Sequence, residues 1–113
     1  MTHIAIPYGA YWSTPFTRWQ GSFSHLHSLR FAAHVASHEL QRRNLDVGSF
    51  DYAALGTSVP QKGAFFGLPW LMGLIGSDHV GGPTISQACA TSARLLQSVS
   101  STLCEGDATV ALA

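Results

Sequence analysis

Gly81-Gly82-Pro83-Thr84-Ile85-Ser86-Gln87-Ala88-Cys89-Ala90-Thr91-Ser92-Ala93-Arg94 reads as a short strand that runs into a helix, with Cys89 at the junction. Thr84 to Ala88 supplies the strand. Cys89 or Ala90 to Cys104 supplies the helix, whose apolar stripe is Ala93, Leu96, Val99 and Leu103. Glu105-Gly106-Asp107 ends it, because glycine takes the left-handed conformation that closes helices. Ala108 to Ala113 follows as an apolar strand. Strand, helix, strand in this order is the repeating unit of a parallel sheet.

Upstream, the same grammar continues. His3 to Tyr8 reads as a first strand, and Gly9 to Ser24 as a long loop anchored by Trp12, Phe16, Trp19 and Phe23, an aromatic set that also suits an interaction surface. A helix is expected from Ser24 or Leu26 to Arg43. Leu29, Ala33, Ala36 and Leu40 share one face, Ser24 or Ser28 caps the start, Glu39 and Arg43 pair four apart, and Asn44 is the stop. Asp46 to Phe50 is a polar turn and Asp51 to Val59 a second strand. Gly63 to Ile75 reads as a short helix interrupted near Leu68–Pro69, because the residue before proline avoids helical geometry. Gly76 to Pro83 is loop. The order β-α-β-(α)-β-α-β implies an α/β fold with a mainly parallel sheet covered on both faces. One domain, 1–113, accounts for all of it.

Composition narrows the function classes. The chain has 113 residues, 46% hydrophobic and 11% charged, and six Lys+Arg cancel six Asp+Glu. That excludes a disordered chain, leaves no material for a second domain and gives no support to nucleic-acid binding, since no excess cation is present to displace phosphate counterions. The most apolar run, Ala64 to Ile75, is shorter than the ~18 residues of a membrane span and contains Gly67, Pro69 and Gly73. The N-terminus lacks the basic start and apolar stretch of a secretory signal, so no membrane partner is expected and the default compartment is cytoplasmic. Cys89 and Cys104 are the only cysteines. On one helix they stand about 22 Å apart, beyond disulfide reach.

At the start of a helix the first N–H groups have no internal partner, and their dipoles favour an anion. A cysteine there is favoured as thiolate, the nucleophile of acyl transfer. The same N–H groups can bond the oxygen of a thioester as charge develops on it. Ala88, Ala90, Ser92 and Ala93 are small and leave room for a substrate, and ligands usually bind at the carboxyl ends of parallel strands. The plainer reading of a free cysteine is a buried structural residue. Cys104, at the other end of the helix, fits that reading better.

The segment Thr84 to Ala113 resembles the nucleophile region of the thiolase superfamily. Ser13-Thr14-Pro15-Phe16-Thr17-Arg18 with Gly21-Ser22 resembles the family's entry loop. The helix through Leu40 and Arg43 with Asn44-Leu45-Asp46 resembles its first helix and exit. Asp51 to Val59 resembles its second strand, and Gly106-Asp107-Ala108-Thr109-Val110-Ala111-Leu112-Ala113 the strand after its catalytic helix. The resemblance covers nearly the whole chain and about the first quarter to third of a thiolase. Ser86 stands where thiolases commonly carry Asn, and Thr91-Ser92 where Ser-Gly is common. Ala-Cys-Ala-Thr-Ser-Ala is also similar to β-ketoacyl synthases, a sister family, but only 88 residues precede the cysteine, which suits a thiolase.

The resemblance implies an incomplete N-terminal half of a layered αβαβα fold, and an acyl-CoA acyltransferase of thiolase type (acetyl-CoA acetyltransferase-like). Cys89 would form the acyl intermediate for 3-ketoacyl-CoA cleavage or acetyl-CoA condensation, in fatty acid metabolism. Coenzyme A thioesters enter as substrate, with no separate cofactor. The family's catalytic histidine and second cysteine belong to motifs this sequence does not carry, so the isolated 113 residues are expected to be an inactive fragment, cut in its last strand, whose partners are the missing C-terminal portion and further copies in a homo-oligomer. The rival expectation is a non-catalytic thiolase-like subunit or scaffold that binds acyl-CoA.

The remaining candidates have plainer explanations. His34 and His38 lie four apart on one helix face, with His27 seven before His34. That spacing can hold zinc, but no fourth ligand is evident, and a solvent-facing polar face is expected. His79 and Asp78 precede the nucleophile strand, and His79 is a candidate base for Cys89. Phe65, Phe66, Trp70, Leu71, Met72 and Leu74 suit an acyl pocket, a dimer contact or a buried short helix. Arg94 suits a coenzyme A phosphate or an internal ion pair. Gly81-Gly82 precedes a strand and is not a phosphate loop.

Overall fold

A computed structural model of the chain describes residues 3–113. In it helix α1 spans Ser28–Arg42 and buries Leu29, Ala33, Ala36 and Leu40, the face that the spacing marks out. Its cap is His27 rather than a serine. The imidazole Nδ1 accepts the Leu29 N–H at 3.2 Å, and Nε2 lies 2.9 Å from the Lys62 carbonyl oxygen. Accepting at Nδ1 leaves Nε2 to carry the proton and donate to that carbonyl. At the other end Asn44 takes φ 56°, the left-handed stop, and Arg43 pairs with Glu39.

Residues 51–57 form one extended run at the centre of the molecule. Its halves, β1 (Tyr52–Ala53) and β2 (Leu55–Gly56), make separate parallel ladders: β2 with β3 (Thr84–Ile85), and β1 with β4 (Ala111–Leu112). Registers are Tyr52 opposite Ala111, Ala53 opposite Leu112, Leu55 opposite Thr84 and Gly56 opposite Ile85. The N–H groups of Ala53, Leu55 and Thr57 donate to Gly81, Pro83 and Ile85, while those of Asp51 and Ala54 donate to Val110 and Leu112. Neighbours on both sides make the run central, and all pairing is parallel, as expected. The ladders are shorter than the sequence suggests.

Successive residues of the run face opposite ways. Ala53 belongs to the core built with Ala33, Ala36 and Leu40 of α1, and Leu55 packs against the same core. Leu68, Leu71 and Met72 of helix α2 (Leu68–Leu74) join from the same side. Gly56 faces the other way, toward Thr91 and Leu95 of helix α3 (Thr91–Glu105). The small parallel sheet therefore lies between α1 with α2 and α3, an α/β architecture with helices on both faces.

Four expectations are corrected. His3 to Tyr8 is not a strand: it has no ladder partner among the described residues, and Ile6 is 65% and Tyr8 100% exposed. Pro69 does not interrupt a helix but begins one. It occupies the first turn of α2, where its missing N–H costs nothing, and Thr84 Oγ1 accepts the neighbouring Leu68 N–H at 2.9 Å. Phe65 and Phe66 are consequently outside the helix and exposed. Helix α3 is rotated from the expected stripe. Thr91 and Val99 are buried and Leu95 half-buried, while Ala93 and Leu96 are exposed, because the missing side chain of Gly56 opens a notch that admits the Thr91 methyl and Leu95.

The β1–β4 ladder is held at its start by Asp51. Its carboxylate accepts the N–H groups of Thr109 (2.9 Å) and Val110 (3.0 Å). These bonds, Val110 first and Thr109 second, hold its carboxyl below the ordinary aspartate value of 3.8. A depressed native pKa means that the charged form stabilises the fold. The contribution is complete above the unfolded value of 3.8 and is lost as pH falls through the lower native value. Asp51→Asn is therefore expected to lower the urea midpoint at neutral pH and to flatten its fall in acid. An unchanged acid limb would show that another carboxylate governs it.

Candidate functional site

The carboxyl end of β3 leads through Ser86 and Gln87 into a single 3₁₀ turn, Ala88–Ala90, and then into α3. Cys89 is the middle residue of that turn, is exposed and carries a free thiol. The junction anticipated from sequence is thus present, one turn tighter than expected: the α-helix itself begins at Thr91. Ala88, just before the cysteine, has φ 48°. A residue with a Cβ in left-handed geometry costs roughly 1–2 kcal/mol and persists only where its surroundings impose it.

Those surroundings are hydroxyl groups. Thr91 Oγ1 accepts the Gln87 N–H at 2.8 Å and donates to the Ala88 carbonyl at 2.7 Å. Ser58, just past the central run, donates to the same carbonyl at 3.0 Å, and the Thr91 N–H adds a third bond to it. The Ala90 N–H is returned to Gln87. The Cys89 N–H has no acceptor among the described residues. The turn therefore presents an exposed sulfur and an uncommitted amide at the positive end of a fifteen-residue helix.

Thr91 and Ser58 were not singled out as functional by sequence reasoning. The one available signal was a hydroxyl residue beside the strand-to-helix junction, where short polar side chains bond local backbone.

Other sequence candidates are placed elsewhere. The His79 ring lies 3.2 Å from the Phe50 carbonyl, before the central run begins, whereas Cys89 follows the far end of β3. The structure does not bring His79 to Cys89. His34 and His38 are exposed, and no group of three metal-ligating side chains is present among the described residues. Arg94 donates to Gln97 at 2.8 Å, not to a carboxylate. Cys104 is exposed, contrary to the buried structural role expected of it, because its side of α3 faces away from the sheet. A cleft of about 320 Å³ opens between α1, α2 and the central run, with Trp12, Val35, Leu55, Leu71 and Leu112 among its lining. Cys89 does not line it. No helix is long and apolar enough to cross a membrane among the described residues.

Comparison with protein-family models, with curated proteins and with solved structures gave no match.

Proposed function

We propose that the chain carries the nucleophile region of a thiolase-like acyl-CoA acyltransferase, with Cys89 as the acyl acceptor. The observation that supports this most is the exposed thiol in a strained turn at the head of α3, beyond the carboxyl end of a parallel strand. In the proposed step the Cys89 thiolate attacks the thioester carbonyl of an acyl-CoA. A C–S bond forms, and the oxygen takes the negative charge within reach of the free Cys89 N–H. The carbonyl then re-forms as coenzyme A leaves as its thiolate and takes up a proton. Thioester is exchanged for thioester, so neither oxidant nor metal enters the balance. Deacylation, by coenzyme A or by a second acetyl-CoA as carbanion, needs an acid/base pair that the resemblance assigns to motifs outside these residues.

A second reading, a non-catalytic subunit that keeps the fold for assembly or acyl-CoA binding, is favoured by one feature. His79, the nearby candidate base in the sequence, is bonded to Phe50 instead of Cys89.

Incubation of the full chain with acetyl-CoA, followed by peptide mass analysis, separates the two. Because the family's histidine and second cysteine are not in this sequence, no turnover is expected; the expected result is a slow, stoichiometric, hydroxylamine-labile acyl group on Cys89 and none on Cys104, abolished by Cys89→Ser and retained in Cys104→Ser. Iodoacetamide should also modify Cys89 roughly threefold or more faster than Cys104, since the two thiols stand at opposite poles of one helix. Equal, slow alkylation with no thioester at Cys89 would remove the acyltransferase reading.

A further inference from the structure

Arg30, Ala33, His34 and Ser37 are spaced to fall on one face of α1. There they meet Leu74, the last residue of α2, and these five residues line a cleft of about 320 Å³. That volume is at the lower end of small-molecule sites, roughly 300–1,000 Å³. The cleft shares no lining residue with the apolar one beside the central run.

Its polar lining consists of hydrogen-bond donors. Arg30 brings the guanidinium N–H groups, His34 at least one ring N–H, and Ser37 a hydroxyl. No carboxylate lines the cleft. Glu39, the one acid of α1, stands on the opposite side of the helix from Arg30 and is held by Arg42 and Arg43. Helix α2 has no charged residue. Arg30 therefore has no counter-ion among the described residues. Its guanidinium carbon lies 5.5 Å from the Trp70 ring centroid, and Trp70 meets the His27 imidazole edge-on at 5.2 Å. His27 is itself fixed by the Leu29 N–H and the Lys62 carbonyl. The aromatic face restrains the unpaired cation beside the cleft.

We infer that this cleft between α1 and α2 binds the phosphate group of a small phosphate monoester. A guanidinium fork engages two phosphate oxygens at once, and His34 and Ser37 supply donors for the third. A carboxylate has only two oxygens to offer the three side chains. Leu74 and Ala33 provide an apolar patch for the organic group that the ester carries. The cleft lies on the α1–α2 side of the sheet, whereas Cys89 heads α3 on the other, so the inference is independent of the acyltransferase reading.

The test is titration of the full chain with phenyl phosphate, followed by backbone amide chemical shifts. Saturation is expected with a dissociation constant on the order of 1 mM and with shifts centred on Arg30, His34, Ser37 and Leu74. Arg30→Gln should weaken binding roughly tenfold, and Arg30→Lys less, because lysine keeps the charge without the fork. Ser37→Ala, at a second exposed position, should weaken it roughly threefold. Arg18→Gln removes an exposed cation of the N-terminal arm and should leave the affinity unchanged. Benzoate should bind roughly tenfold more weakly than phenyl phosphate. The far-ultraviolet circular dichroism of each variant should match the wild type. Absence of saturation at about ten times the expected constant would overturn the proposal, as would binding that Arg30→Gln and Ser37→Ala both leave intact. Equal losses in Arg30→Gln and Arg18→Gln would replace it with diffuse attraction to surface cations. Benzoate binding as tightly as phenyl phosphate would overturn the choice of phosphate.

Discussion

Gly82→Ala is expected to destabilise the fold severely. Gly82 has φ 153°, and a Cβ added there would stand 1.6 Å from the Ala53 carbonyl oxygen, 2.8 Å from its carbon and 2.9 Å from Leu68 Cδ2. None of these atoms has room to withdraw. Ala53 and Leu68 are each 1% exposed, and the Ala53 N–H is bonded to the Gly81 carbonyl at 3.1 Å. Relief requires the segment from Gly81 to Ile85 to move off the central run, which breaks the ladder that positions β3 and, beyond it, the Cys89 turn. The cost belongs at the upper end for single substitutions, about 4 kcal/mol or more. Domains of this size commonly have total stabilities of about 5–15 kcal/mol, so a loss of that size takes between about a quarter and most of the available margin. The measurement is urea unfolding followed by near- and far-ultraviolet circular dichroism. Gly73→Ala is the control. It lies in α2 with no neighbouring atom within 4 Å of an added Cβ, and it should gain about 0.5–1 kcal/mol from helix propensity. A Gly82→Ala protein with a wild-type midpoint would mean that the two strands do not approach as described.

That contrast between two glycines shows where sequence reading succeeds and where it stops. The face of α1 was legible because a 3.6-residue period repeats over several turns, and Asn44 was legible as its stop because asparagine tolerates left-handed geometry. The strand-to-helix junction around Cys89 was legible for the same local reasons. The phase of α3 was not. Ala93, Leu96, Val99 and Leu103 form an apolar series, yet Thr91, Leu95 and Val99 turn inward, and the difference is decided by a notch at Gly56, more than thirty residues away. Nor did His3 to Tyr8 reveal that it lacks a partner, since a run of β-favouring residues specifies how it would pair but not whether a neighbour is present. The Thr91 hydroxyl bonds Gln87 and Ala88, contacts set by the turn's own unusual geometry, which no residue spacing encodes.

Thr91 therefore offers the sharper test of how the fold supports the site. Thr91→Val preserves shape and keeps a methyl in the Gly56 notch, but it removes the acceptor of the Gln87 N–H and one donor to the Ala88 carbonyl. The carbonyl retains Ser58 and the Thr91 backbone N–H, which valine also supplies, whereas the Gln87 N–H loses the bond that the structure gives it. Leaving this part-buried donor without its partner costs toward the lower end of about 1–3 kcal/mol. Thr91→Ser reverses the exchange: both bonds survive, and the lost methyl costs about 1 kcal/mol or less. The expected order of urea midpoints is wild type, then serine, then valine. The same pair reports on Cys89. The hydroxyl helps hold Ala88 at φ 48°, so its loss lets the turn relax and the cysteine leave its place at the head of α3. Iodoacetamide should then react with Cys89 more slowly in Thr91→Val and at the wild-type rate in Thr91→Ser, with Cys104 as the internal reference in each protein. Equal destabilisation by the two substitutions would assign Thr91 to packing alone. A valine variant that is less stable yet alkylated at the original rate would show that the turn keeps its form without the hydroxyl, and that the strain at Ala88 is imposed by Ser58 and the ends of β3 and α3.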